Sequence, residues 1–257
     1  MTDTKWALIL GASSGFGEAT ALELARHGFD IYGVHLDRRE TLPHAEQVQR
    51  QIRDSGRQAV FFNGNAAADE KRAEVIARIV EDRHEVRVLL HSLAFGALKP
   101  LAGAADVASK RQLEMTADVM GHSLVYWARD LVAAGAMRAG GRIYAMTSEG
   151  GAKAIPEYGP VCAAKAILEA HIRQLALELA PLGITANAIL AGVTDTPALR
   201  KIPGNEKLMD FARARNPHHR LTTPADVARC IAVLCHPGTA WMTGNTLRVD
   251  GGEGSVG

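Results

Sequence analysis

The chain has 257 residues, 47% of them hydrophobic and 22% charged, with 29 Lys and Arg against 28 Asp and Glu. These are globular proportions and exclude a disordered chain, while a formal charge of +1 supplies no general attraction to nucleic acid or to a membrane surface. Cys162, Cys230 and Cys235 follow no disulfide or metal-ligand spacing and read as reduced thiols. The apolar run Trp6–Leu10 is too short for a signal-peptide core or a membrane span, so a soluble cytoplasmic protein is expected.

Short apolar runs alternate with helix-like stretches along the whole chain. Strands are expected near Trp6–Leu10, Asp30–His35, Ala59–Asn63, Val86–Ser92, Arg142–Thr147, Ile184–Leu190 and Thr246–Asp250. Between them, helices are expected over Gly15–His27, Glu40–Ser55, Asp69–Arg83, Asp106–Met137, Pro160–Leu179 and Pro224–His236. The helix before residue 180 is the clearest, with Ile167, Leu168, His171, Ile172, Leu175 and Leu179 on one stripe. This alternation predicts one doubly wound α/β domain over residues 1–257, with a seven-stranded parallel sheet flanked by helices. The segment 195–222 carries Pro197, Pro203, Gly204 and Pro217, interrupts the alternation, and is expected to be an insertion that covers a substrate.

The turn Gly11-Ala12-Ser13-Ser14-Gly15-Phe16-Gly17 follows the first expected strand and opens a helix. In that setting glycines let the backbone turn tightly against a pyrophosphate, whose charge is drawn to the helix N-terminus. Later come Glu157-Tyr158-Gly159-Pro160-Val161-Cys162-Ala163-Ala164-Lys165, and Ser148, which precedes Lys165 by 17 residues. On these motifs the chain resembles the short-chain dehydrogenase/reductase family over nearly its full length, and a Rossmann-type fold follows from the resemblance. The commonest form of that family places its tyrosine four residues before lysine, where this chain has Val161. The spacing of seven between Tyr158 and Lys165 is similar to that of the family's enoyl-acyl-carrier-protein reductases, as is His91-Ser92-Leu93 after the fourth strand.

The resemblance implies a nicotinamide cofactor held by Gly11, Ser13, Ser14, Phe16 and Gly17, with Asn65 and Ala66 at the adenine. Ser92 and Leu93 cover the cofactor, Lys165 bonds the ribose, and Gly192, Val193, Thr194 and Thr196 face the carboxamide and phosphates. His35 stands where an NAD-selecting aspartate falls in relatives, and Arg38 and Arg39 follow, so NADPH is expected, the arginines pairing with the 2′-phosphate. Asp37 keeps NADH open, and the two arginines also suit an ordinary solvated loop.

Catalysis is expected from Tyr158, Lys165 and Ser148, with the lysine ammonium lowering a phenol pKa that is ordinarily about 10. Pro160 suits a first helical position, which puts Tyr158 in the approach to the helix. Met120 falls where ketoreductases carry a proton-relay asparagine. The implied activity is NADPH-dependent reduction of the C=C bond of 2-enoyl thioesters in fatty acid synthesis, on acyl carrier protein, by a homotetramer. A ketoreductase of 3-oxoacyl thioesters, steroids or small ketones is the alternative, and a catalytically silent cofactor-binding regulator is a third reading.

Cys162, Tyr126, Tyr144, His91, His122 and His171 read as packing residues. No metal is expected, since His218 and His219 lack ligand spacing to another His or Cys. Between Asp195 and Arg220, six basic residues stand against three acidic ones. That local balance of +3 suits either a solvated helix face or the docking of an acidic carrier protein.

Overall fold

Strands that are apolar throughout, rather than at alternate positions, need cover on both faces, and a central parallel sheet gives it. The computed structural model describes residues 5–256 and builds such a sheet. Its strands are β1 (Trp6–Leu10), β2 (Asp30–His35), β3 (Ala59–Asn63), β4 (Val86–His91), β5 (Arg142–Thr147), β6 (Thr185–Ala191) and β7 (Thr246–Val249). They lie in the order β3-β2-β1-β4-β5-β6-β7, every pair parallel. All residues of β1, β2 and β5 are buried, whereas the edge strand β7 is half open.

Helices cover both faces. On one side, Ala21 and Leu24 of α1 (Gly15–Arg26), Val48 and Ile52 of α2 (Leu42–Asp54), and Val227 and Ile231 of α8 (Pro224–Leu234) form one core layer. The opposite layer takes Val75 and Ile79 from α3 (Asp69–Glu81). It also takes Leu124, Trp127 and Leu131 from α5 (Ser123–Ala133), and Leu168 and Ile172 from α6 (Gly159–Leu179). The connections from β1 and β4 leave toward opposite faces at neighbouring strand ends, the crevice where doubly wound sheets bind ligands. No helix among the described residues is long and apolar enough to cross a membrane.

Three expectations need correction. The long helix over Asp106–Met137 is shorter and broken. Chain 99–106 is a loop tied by a Lys99–Asp106 ion pair of 2.6 Å, and α4 (Lys110–Ala117) starts at a capping box between Ser109 and Gln112. A π-helical turn at Asp118–His122 then joins α4 to α5. Secondly, the insertion holds a helix of its own, α7 (Asn205–Arg215), which starts after Gly204 in the left-handed region at φ 73°. Finally, α6 begins one residue earlier than Pro160, so Pro160 is its second residue and Tyr158 its N-cap.

Candidate active site

The glycine turn is shaped by close backbone approach. A side chain on Gly17 would put its Cβ 2.0 Å from the Gly11 carbonyl oxygen, and one on Gly11 would meet the Ser92 carbonyl oxygen at 2.4 Å. Gly11 also sits at φ 90°, a region that glycine alone enters freely. Ser14, the N-cap of α1, makes no capping hydrogen bond with its side chain, so the first amides of that helix are not closed off by it. Thr196 approaches from the opposite side, its methyl carbon 3.5 Å from a Cβ built on Gly15. The segment after β6 therefore closes on the glycine turn at Thr196. A cavity of about 120 Å3 beside it is lined by Gly11, His35, Asn65, Ala66 and Leu93 among others. Anion-receptive amides, a cradle that side chains would fill and an adjoining cleft fit a dinucleotide.

At the end of β2, His35 Nδ1 and Asp37 Oδ2 lie 2.8 Å apart. Burial works against the Asp37 charge, but hydrogen bonds from Ser13, Thr41 and His35 outweigh it and hold the pKa below the usual carboxylate value. Arg38 and Arg39 are exposed, and neither forms an ion pair among the described residues. Asn65 turns inward to its own backbone, its Oδ1 accepting from the Ala67 amide at 3.0 Å. The Ala66 carbonyl accepts from the Trp127 indole at 2.8 Å.

Lys165 points from the second turn of α6 and is 5% exposed. Its Nζ donates to the Met146 carbonyl at 2.7 Å, and burial lowers its pKa to about 8 against the opposing pull of Glu169. One of the three lysine donors is thus committed to fixing the side chain. Glu169, one turn further along α6, accepts from the Thr147 hydroxyl at 2.6 Å. Sequence reasoning passed over both Thr147 and Glu169; an acid four residues after the lysine on the same helix face was the available signal.

Beside the lysine, His91 is wholly buried. Ser123 donates its proton to the Val119 carbonyl, so the 2.8 Å contact between His91 Nε2 and Ser123 Oγ is a donation by the histidine. Nδ1 then carries no proton and has no partner in the structure. Burial, aided by Lys165, pushes this pKa down to about 3, so His91 is neutral and supports the strand end.

Tyr158 and Ser148 lie together. The Ser148 hydroxyl oxygen is buried without a well-formed hydrogen bond, yet lies close enough to the phenol to lower its pKa. The expected net depression of the phenol does not occur. Burial raises the Tyr158 pKa above 10, Ser148 pulls it only partly back, and Lys165 is not among the groups that shift it. The ring lies on the turn Glu149–Gly151, where a Cβ on Gly150 would come within 3.0 Å of it. Val161 and Met120, at the positions where ketoreductases carry tyrosine and asparagine, are packed into one apolar cluster with Val119 and Ala164.

The basic segment is less free than its composition suggests. Arg200 grips Asp195 through two bonds of 2.7 and 2.9 Å, and Arg213 pairs with Asp210 at 2.9 Å. Arg220 and Arg215 are met by acids from outside the segment, Asp226 at 2.6 Å and Glu149 at 4.0 Å. Among the described residues no group of three or more His, Cys, Asp or Glu is arranged to hold a metal.

Comparison with known proteins identifies the family and the fold. A family model described as enoyl-(acyl carrier protein) reductase matches residues 11–253. The enoyl-acyl-carrier-protein reductase (NADPH) of Staphylococcus aureus is 29% identical over 97% of this chain and 96% of its own. The cis-4-hydroxycyclohexanecarboxylate dehydrogenase of Sinomonas cyclohexanicum is 31% identical, with 97% and 96% covered. Among solved structures, the enoyl-acyl-carrier-protein reductase (NADH) of Aquifex aeolicus superposes with a TM-score of 0.87 at 25% identity, covering 98% of this chain and 97% of that one. The chain belongs to this enoyl-reductase-like family of short-chain dehydrogenase/reductases and is an NAD(P)H-dependent oxidoreductase.

Proposed function

We propose that the protein is an enoyl-thioester reductase, reducing the C=C bond of a 2-enoyl chain on acyl carrier protein with NADPH. When bound, the reduced nicotinamide supplies the hydride that such a substrate accepts at its β-carbon. Tyr158, a protonated phenol at neutral pH, donates a hydrogen bond to the thioester oxygen as negative charge gathers there. Ser148 is a second hydroxyl with an open bonding position at the same place. Lys165, fixed by the Met146 carbonyl, offers its remaining donors to the ribose. Leu93, Leu98, Met115 and Tyr158 pack around the cluster of Val119, Met120, Val161 and Ala164, an apolar wall suited to an acyl chain.

The observation that carries this reading is the filling of the ketoreductase positions. A packed Val161 and Met120 leave no relay, and the phenol enters from the N-cap instead. Holding the enolate oxygen needs only a donor, and the α-carbon then takes its proton from solvent, whereas carbonyl reduction draws its proton through the phenol itself and needs a route by which the phenol regains it. The contact between Ser148 and Tyr158 favours the second reading, a ketoreductase, because a paired hydroxyl and phenol also suit a carbonyl oxygen. NADPH is supported by the exposed arginines beside an Asp37 whose carboxylate is engaged by Ser13, Thr41 and His35. Docking of an acidic carrier protein would rest on Lys201 and Lys207, which have no ion pair among the described residues. A homotetramer is proposed on the family likeness alone.

The double variant Tyr158→Ala, Val161→Tyr tests the reading. It restores the four-residue spacing beside Ser148 and should abolish enoyl reduction. Retained enoyl reduction would contradict the role given to Tyr158.

A further inference from the structure

Glu253 is 4% exposed, three residues from the end of the described chain, and forms no ion pair with any described cation. An isolated buried carboxylate is costly unless hydrogen bonds support it. Its support comes from the segment after β6, where the Val193 amide donates toward both of its oxygens at 3.2 and 3.4 Å. Gly192 lies under the same carboxylate, and a Cβ there would meet Glu253 Oε2 at 2.9 Å and the Thr222 hydroxyl at 2.4 Å. The next residue, Thr194, turns its hydroxyl back onto the Gly192 carbonyl at 2.9 Å. Gly192 to Thr194 are thereby clamped from the C-terminal tail, and two residues on, Thr196 closes on the glycine turn.

We propose that Glu253 is a positioning residue for the nicotinamide half of the cofactor, fixing Gly192–Thr194 through the Val193 amide. This rests on the cofactor reading given above. The charged groups facing Glu253 are Glu149 beside Ser148, Asp250 at the end of β7 and Arg215 on α7. Burial raises its pKa, Glu149 and Asp250 add to the rise, and the Val193 amide and Arg215 oppose it. Protonation takes the charge off the group that accepts the Val193 amide, so the clamp weakens as pH falls.

The test compares two probes by calorimetry, NADPH and 2′-phospho-ADP-ribose, which shares every part of NADPH except the nicotinamide. Glu253→Ala should weaken NADPH binding by about tenfold, the worth of one hydrogen bond to a charged group, and move the truncated probe less than about twofold. Glu253→Gln keeps an oxygen acceptor and should restore most of the NADPH affinity. Its ratio of the two affinities should not change between pH 5 and 8, whereas the wild-type ratio should fall in acid. Equal weakening of both probes, or an unchanged NADPH affinity in a folded alanine variant, would overturn the proposal. A wild-type protein that binds neither probe would instead sink the cofactor reading on which it rests.

Discussion

Burial keeps the proton on Tyr158 at neutral pH, and the same burial makes the Lys165 ammonium easier to discharge. Removing the phenolic hydroxyl deletes a donor aimed at developing charge. Tyr158→Phe should therefore lower kcat by about 100-fold with cofactor affinity intact, as steady-state kinetics and NADPH titration would show. Lys165→Ala should lose affinity and turnover together. The lysine also sets a pH dependence. Ribose and phosphates favour its charged form, so NADPH affinity should fall as pH rises through about 8, by at most about tenfold per pH unit, and the alanine variant should lack this fall. Arg38 and Arg39 belong to the same scale. Replacing both by alanine should raise the KM for NADPH at least about tenfold and leave that for NADH nearly unchanged.

Residues of this kind were readable to the degree that their chemistry is local. The glycine turn, Ser148, Tyr158 and Lys165 sit in contiguous motifs at fixed spacings. Glu253 was not readable, because its partner Val193 lies sixty residues away, in the loop after β6. The upward shift of the phenol was equally hidden, since it depends on what packs over the ring.

Elements show a parallel division. Strand β1 declares itself as an unbroken apolar run, and β2, β4 and β5 as mostly apolar stretches, because both faces are covered. The π-helical turn at Asp118–His122 does not, because an extra residue within a turn leaves the apolar pattern on either side intact. Helix α7 was missed because only Ala212 of its eleven residues is buried, which erases the periodic stripe that marks a helix. At the start of α6, Glu157 adopts φ 58°, the left-handed region that L side chains avoid, and so swings Tyr158 into the N-cap. Such a conformation costs about 1 kcal/mol in a residue with a Cβ. Glu157→Gly should relieve it and raise Tm by about 2–4 °C in a melt of the apoprotein, and an unchanged or lower Tm would show the turn to be unstrained.

At the scale of the whole molecule, one sheet order brings together segments far apart in sequence. The turn after β1, the strand end at His91, the Ser148 turn and the segment after β6 all leave the C-terminal ends of the parallel strands, and α6 delivers Tyr158 and Lys165 beside them. That convergence was legible, because strands alternating with helices force right-handed parallel crossovers. The proposal of C=C over C=O rests on the displaced tyrosine and on the packing of Val161 and Met120. The direct measurement is NADPH oxidation by the purified wild-type protein with crotonyl-CoA, set beside a 3-oxoacyl thioester and a panel of simple ketones. Turnover of the enoyl substrate with little or none of the 3-oxo substrate and ketones is the predicted result; turnover of the 3-oxo substrate with the enoyl one ignored would contradict it.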